Sequence, residues 1–243
     1  MKSNYFKLIL ATIVICYPVT IFATTIIFYA SGNSIFIGAD SKINFYANAD
    51  KIGSKNICKI FKVGNIFFAN SGEFGPDISS IGFESVSSNS TIDEAVRRYI
   101  SNMKVKLPKL LNNLRKAAPE EFYKRKGQPI TEMVICCVVN NKTIIKHITF
   151  YINDFNSETI AVTEKVQIVK KIIAIGVNRL TDDAKILSVA KEKRLNGGEL
   201  VKSLLLLNIN LEPNKTGLPI NILEVRNRSF NWIEKSQLCN FTK

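Results

Sequence analysis

The sequence predicts a single α+β domain built of layered sheets and helices. Two observations carry this. Short β-branched and aromatic runs recur between turns that hold Gly or Asn, and they are interrupted twice by stretches with helical apolar spacing. The resulting order is strands, two helices, strands, two helices, strands, with no internal repeat, low-complexity segment or linker. One core of packed sheets and helices accommodates that order. The composition agrees: 46% hydrophobic and 22% charged residues over 243 positions exclude a disordered or collagen-like chain.

Residues 1–23 read as a secretory signal peptide. Lys2 and Lys7 form a positive start, Leu8 to Tyr17 is an apolar run, Pro18 breaks it, and Ala23 offers a small residue before a cut. The alternative is a membrane anchor over residues 8–30, which are uncharged and long enough to span a bilayer. Export predicts a secreted or periplasmic protein; the anchor predicts a membrane-attached one. Four cysteines remain after processing. Cys136 and Cys137 are adjacent in an apolar strand and point to opposite faces, so they are poor partners for each other. A Cys58–Cys239 bridge is one alternative, and buried free thiols are the preferred reading.

Along the remaining 24–243 domain, Thr24 to Tyr29 and Ser34 to Ala39 read as strands joined at Ser31-Gly32-Asn33. Ile57 to Lys62 and Asn65 to Ala69 repeat the hairpin around Gly64. Thr91 to Glu94 is a capping box, behind which Ala95, Tyr99, Met103 and Leu107 fall at helical spacing. Pro108 begins or kinks a second helical stretch ending near Ala118, and Pro119 to Pro129 reads as a loop. Strands follow at Met133 to Val139, Thr143 to Tyr151, Thr159 to Thr163 and Lys171 to Gly176. Helices are expected at Asp182 to Leu195 and Glu199 to Asn208, then strands at Pro219 to Arg226 and Ser229 to Ile233.

The formal charge of +13 favours acidic surroundings but shows no basic stripe interleaved with aromatics, so no nucleic-acid partner is expected. Arg97-Arg98, Lys104 to Lys109 and Lys124-Arg125-Lys126 read as solvated faces. The single histidine, His147, argues against His-rich metal sites and reads as structural. No C-x-x-C spacing occurs, and neither a metal nor a cofactor is implied.

A cut after Ala23 would leave Thr24 as the first residue. A terminal Thr can be a nucleophile because its own α-amino group, titrating near neutrality, can take the hydroxyl proton. Such a site needs a nearby cation to keep the amine deprotonated, a carboxylate to hold that cation, and an N–H facing the developing oxyanion. Read singly, Thr24, Asp40 and Lys59 are ordinary strand, turn and surface residues. Taken together with Thr24-Thr25-Ile26-Ile27, Gly38-Ala39-Asp40-Ser41, Asn56-Ile57-Cys58-Lys59-Ile60 and Phe68-Ala69-Asn70-Ser71-Gly72, the sequence resembles the proteasome β-subunit family. That family includes the bacterial ring-protease relatives and belongs to the N-terminal-nucleophile hydrolases.

The resemblance implies a four-layer αββα sandwich. It implies Thr24 as nucleophile, Lys59 as the cation beside its amine, Asp40 as the residue holding Lys59, and Gly72 as the oxyanion N–H donor. The family's Gly-Ser-Gly turn is replaced by Ile175-Gly176-Val177-Asn178, and a later Asp-x-x-Ser-Gly loop by Pro213 to Gly217. The implied function is an exported threonine hydrolase, a peptidase or amidohydrolase that cleaves peptide or other amide bonds and works as a homo-oligomer. A non-catalytic assembly or binding subunit of the same fold and a membrane-anchored binding protein are the alternatives. Because the site is assembled at strand ends, Lys59→Ala is expected to suppress activity and leave the fold intact.

Overall fold

The computed structural model describes residues 19–22, 24–47, 50–176, 195, 197–227 and 229–241, with the backbone alone at 19–22, 45–47 and 50–52. In chain order its strands are β1 (Val19–Phe22), β2 (Thr25–Ser31), β3 (Ser34–Asp40), β4 (Lys42–Ala47), β5 (Asp50–Asn56), β6 (Phe61–Val63) and β7 (Ile66–Glu73). They continue as β8 (Thr131–Val139), β9 (Lys142–Ile152), β10 (Val162–Ile168), β11 (Ile172–Gly176), β12 (Ile220–Arg226) and β13 (Ser229–Glu234). The helices are α1 (Gly75–Ser85), α2 (Ile92–Ala117), α3 (Pro119–Tyr123) and α4 (Gly197–Leu211). An eight-stranded sheet runs β10-β9-β8-β7-β1-β4-β5, with β6 also paired to β7; a five-stranded sheet runs β11-β2-β3-β12-β13. Every pairing in both sheets is antiparallel.

The two-residue period of β8 separates the layers. Met133, Ile135 and Cys137 face one apolar cluster with Tyr99, Met103, Leu107 and Leu111 of α2. Val134, Cys136 and Val138 face a second cluster, shared with Ile26 and Phe28 of β2 and Ile35 and Ile37 of β3. The two sheets therefore face each other across the second cluster, and α1 and α2 cover the outer face of the larger sheet. On the outer face of the smaller sheet, Ile27 and Ile222 meet Leu200, Val201, Leu204 and Leu205 of α4. A Cβ on Gly38 would lie 2.2 Å from Val201 Cγ1, so the missing side chain lets α4 rest directly on β3. Strands buried on both faces carry apolar residues at nearly every position, which is why β2, β3 and β8 were recognisable as continuous runs.

Several elements differ from expectation. The capping box at Thr91 and Glu94 is present, but α2 runs unbroken through Pro108 to Ala117. Proline inside a helix costs about 3 kcal/mol. Leu107 and Leu111 flank Pro108 and are fully buried, and each such side chain contributes about 1.5–3 kcal/mol, so packing outweighs the local cost. The stretch from Pro119 opens with the short helix α3 rather than a loop. Only Phe61 and Lys62 of the expected strand over 57–62 pair in a sheet, as part of β6; Ile57 to Ile60 carries no regular structure, and the adjacent Lys59 and Ile60 are both buried. The hairpin of β4 and β5 and the helix α1 were not anticipated. The expected helix over 182–195 lies outside the described residues except at 195, as does most of the expected signal peptide. Thr25–Ser31 is a core strand, so the alternative membrane span over 8–30 does not hold across residues 25–30. Among the described residues no helix is long and apolar enough to cross a membrane. Arg125 is not a solvated charge: it sits 2.6 Å from the carboxylate of Glu73, whose pKa burial pushes up against the pull of Arg125.

Cys58 and Cys239 form a disulfide across a separation of 181 residues, which corrects the free-thiol reading for this pair; Cys136 and Cys137 are buried free thiols. The bridge ties the C-terminal segment, whose Phe241 packs on Phe67, Phe230 and Trp232, to the residue preceding Lys59. Closing so long a loop removes much of the unfolded chain's freedom. Cys58→Ser in non-reducing buffer is expected to lower unfolding free energy by about 2–5 kcal/mol, read from urea unfolding. A reductant should produce the same loss in the wild type and none in the variant.

Candidate active site

The strand registers bring the ends of both sheets to one edge of the molecule. Gly176 at the end of β11 pairs with Thr25, Ile26 with Ala39, and Ile220 at the start of β12 with Asp40. In the larger sheet Gly72, near the end of β7, pairs with Thr131 at the start of β8. The sheets meet here: a Cβ placed on Gly176 would lie 1.8 Å from the Thr24 carbonyl oxygen and 3.3 Å from Ser71 Cβ.

Asp40 is the hub of this edge. Thr24 Oγ1 and the Thr25 N–H both donate to its Oδ1 at 2.7 Å. Lys59 Nζ donates to Oδ1 and Oδ2, each at 3.1 Å, and also to the Lys42 carbonyl. The backbone N–H groups of Lys42 and Gly217 reach Oδ2 at 3.1 and 3.4 Å. Thr24, Asp40 and Lys59 are at most 1% exposed. The structure therefore brings together three of the four residues singled out from the sequence, and Lys59 is a buried ion-pair partner rather than a surface charge. The fourth, Gly72, lies on β7 of the opposite sheet with φ +105°, and a Cβ there would come within 2.5 Å of the Ile130 carbonyl oxygen, so only glycine fits. Its backbone partner across the sheet on the other side is Phe22 of β1, one residue before Ala23.

Burial sets the electrostatics. Desolvation lowers the pKa of Lys59 from 10.5 to about 8, against the opposing pull of the Asp40 charge and hydrogen bonds. At neutral pH the amine is still mainly protonated, so the pair is ionic. Removing one partner of a buried ion pair costs about 3–5 kcal/mol, because the other charge is left unpaired. The expectation that Lys59→Ala leaves the fold untouched is thus corrected: the pair sits in the packed interior.

The remaining contacts wrap the Asp40 hub. Lys42 Nζ donates to the Pro213 carbonyl at 2.8 Å, and Asn44 Nδ2 to the carbonyls of Asn214 and Lys215 at 3.2 Å, which press the segment from Pro213 to Gly217 against the site. Thr216, a fully buried residue of that segment, donates its hydroxyl to the Glu212 carbonyl at 3.0 Å. Asn208 of α4 donates to the Thr25 hydroxyl. On the far side of Gly176 stand Glu132, which sequence reasoning missed, and His147, which it read as structural. The one visible signal of Glu132 was a lone acid among the inward-facing positions of an otherwise apolar strand. Among the described residues no cluster of His, Cys, Asp and Glu could hold a metal ion.

With this geometry in hand, comparison with solved structures places the architecture. The Anbu (Gly-1) mutant from Hyphomicrobium sp. strain MC1 aligns with a TM-score of 0.54 at 13% identity, over 87% of this chain and 85% of that one. BPH of Thiobacillus denitrificans aligns at a TM-score of 0.50 in two structures. One, in complex with epoxomicin, is 16% identical and covers 83% of this chain and 98% of that one. The other is 17% identical and covers 83% and 97%. The chain has the fold of these bacterial proteasome-like proteins. No family model matches the sequence, and no curated protein matches it.

The titration of Lys59 is directly measurable. Its side-chain NMR signals are expected to shift with a midpoint near pH 8, and in Asp40→Asn with a lower midpoint, because the charge and hydrogen bonds that favour the ammonium are gone. Between pH 8 and 10.5 the unfolded chain holds a proton at this position that the folded chain has released. Lys59's contribution to stability therefore rises with pH across that window and is constant below it. A wild-type midpoint at the ordinary lysine value would overturn the assignment.

Proposed function

We propose that this protein is an exported threonine hydrolase of the proteasome-like kind, acting on peptide or other amide bonds through Thr24 once residues 1–23 are removed. The observation that carries this reading is the convergence of Thr24 Oγ1 and Lys59 Nζ on the buried Asp40 carboxylate. The fold shared with Anbu and BPH supports it, as does the stacking of helices on two facing sheets, read here as a four-layer αββα sandwich. The Cys58–Cys239 disulfide fits an oxidising compartment outside the cytosol.

In this mechanism the freed Thr24 amine is the base. It accepts the hydroxyl proton as Oγ1 attacks the carbonyl carbon, forming an ester to Thr24 and passing the proton to the leaving amine. Water, deprotonated by the same amine, then hydrolyses the ester. The Lys59 ammonium disfavours protonation of the Thr24 amine, so more of it is free base at neutral pH. Asp40 holds that ammonium in place, and the Gly72 N–H is assigned to the oxyanion. Thr24 is fully buried in the unprocessed chain, so processing must also uncover it.

Intact mass should show an exported chain beginning at Thr24, and that chain should be captured covalently by a peptide epoxyketone or a β-lactone. Thr24→Ala should abolish capture and Thr24→Ser should retain part of it. Lys59→Ala, assayed on its folded fraction, should lower the rate on the order of 10²–10⁴-fold, and Asp40→Asn should be milder. A chain that starts at Thr24, folds and escapes capture would favour a non-catalytic binding subunit.

Assembly is part of the same reading. On α4, Leu207 and Leu211 stay 39% and 49% exposed after the sheet-facing leucines are buried. Sedimentation of the processed protein at micromolar concentration should show a homo-oligomer; a clean monomer would count against ring assembly.

A further inference from the structure

The space between the two sheets is apolar except at its active-site end, where a carboxylate bridges them. Glu132 of β8 points inward with the parity of Val134 and Cys136. Its Oε2 accepts from the Gly176 N–H at 3.2 Å and from Ser71 Oγ at 3.4 Å. Its Oε1 lies 3.0 Å from His147 Nε2, which is also 3.2 Å from Thr149 Oγ1. His147 Nδ1 is buried and meets no polar partner. The tautomer with its proton on Nε2 suits this setting: it donates to Glu132 and leaves Nδ1 as a bare acceptor. One carboxylate thus links β7, β8, β9 and β11, and its bond from the Gly176 N–H fastens the end of β11 to the opposite sheet.

Glu132 is half-buried, with 20% of its side chain exposed; a well-packed apolar side chain commonly stabilises such a layer as well as an ionic group does, so packing alone does not account for an acid here. What the acid holds is informative. Gly176 lies against the Thr24 carbonyl so closely that no side chain fits between them. Displacement of the end of β11 would therefore move the backbone of Thr24 itself. We propose that Glu132, supported by His147, is a positioning residue for the Thr24 site. It clamps the Gly176 N–H to the larger sheet and thereby fixes the wall against which the nucleophile's backbone rests. Glu132 touches neither the Thr24 hydroxyl nor Lys59 in any described contact, so its effect passes through Gly176. The inference rests on the threonine-hydrolase reading for its catalytic meaning, while the clamp itself can be tested independently.

Two measurements on the same proteins decide it. In the full chain, Glu132→Gln keeps the shape but loses the charge, and it should speed hydrogen exchange at the Gly176 amide about tenfold, leaving the α2 amides unchanged; loss of one charge-assisted hydrogen bond warrants a change of that order. In the processed chain, covalent capture by a peptide epoxyketone should slow about tenfold at saturating probe, with the half-saturating concentration within about twofold. Glu132→Leu, which fills the space without accepting a hydrogen bond, should be slower still despite equal or greater thermal stability. Unchanged exchange at Gly176 overturns the clamp. Faster exchange with unchanged capture overturns the positioning role and leaves Glu132 purely structural. A processed wild type that is never captured sinks the hydrolase reading, and with it the catalytic role of Glu132, whatever the exchange data show.

Discussion

The architecture of the candidate site depends on a single buried ion pair, Asp40 with Lys59. A lysine with 1% exposure is tolerated only if its charge is answered, and the answering group must itself be held rigidly. Asp40 meets that requirement because it terminates β3 and takes backbone N–H groups from Thr25, Lys42 and Gly217 as well as the Thr24 hydroxyl. Those donors come from the start of β2, the start of β4 and the segment leading into β12. One carboxylate thus dictates how three chain segments and the irregular stretch around Lys59 meet. The same pairing explains the irregularity: to bury Lys59 and Ile60 side by side, the chain abandons the alternation that a strand would impose.

The parts of the fold that were legible in the sequence are those with both faces buried. β2, β3 and β8 carry nearly continuous apolar runs, and their bounds differ from expectation by at most a few residues. The hairpin of β4 and β5 carries Asn, Lys, Asp and Gly instead, and its order comes from pairing with β1, a partner that no local pattern announces. Helix α1 was hidden for a different reason. It contains two glycines, a proline and three serines, a poor local former, and it is held by Ile78 and Ile81 in the core and by the close fit of Gly82 on Phe68 and Met133.

The candidate site was legible in part. Thr24, Asp40 and Lys59 stood out only through their joint resemblance to a known pattern, since each alone is an unremarkable residue type in its place. The burial of Lys59 could not be read, because lysine is nearly always solvated and only the tertiary position of Asp40 reverses that preference. Glu132 and Gly176 are neighbours only because β8 and β11 belong to different sheets that close on one another. A separation of 44 residues and an intervening helix-free stretch holding β9 and β10 leave no local trace of that contact.

The larger sheet is continuous only through β1. β1 pairs with β4 on one side, from Val19 to Ile21, and with β7 on the other, at Ile21 and Phe22. Without those four residues, β6 to β10 would end at one open margin and the β4–β5 hairpin at another, each presenting unmatched backbone groups across a strand-wide slot. The hairpin would then be a cantilever, tethered by the contacts of Lys42 and Asn44 with the Pro213 to Gly217 segment and by the Ile57 N–H on the Ser41 carbonyl. The cleavage proposed after Ala23 would therefore be a change in sheet topology as well as a cut: a single sheet would become two, with Thr24 beside the seam.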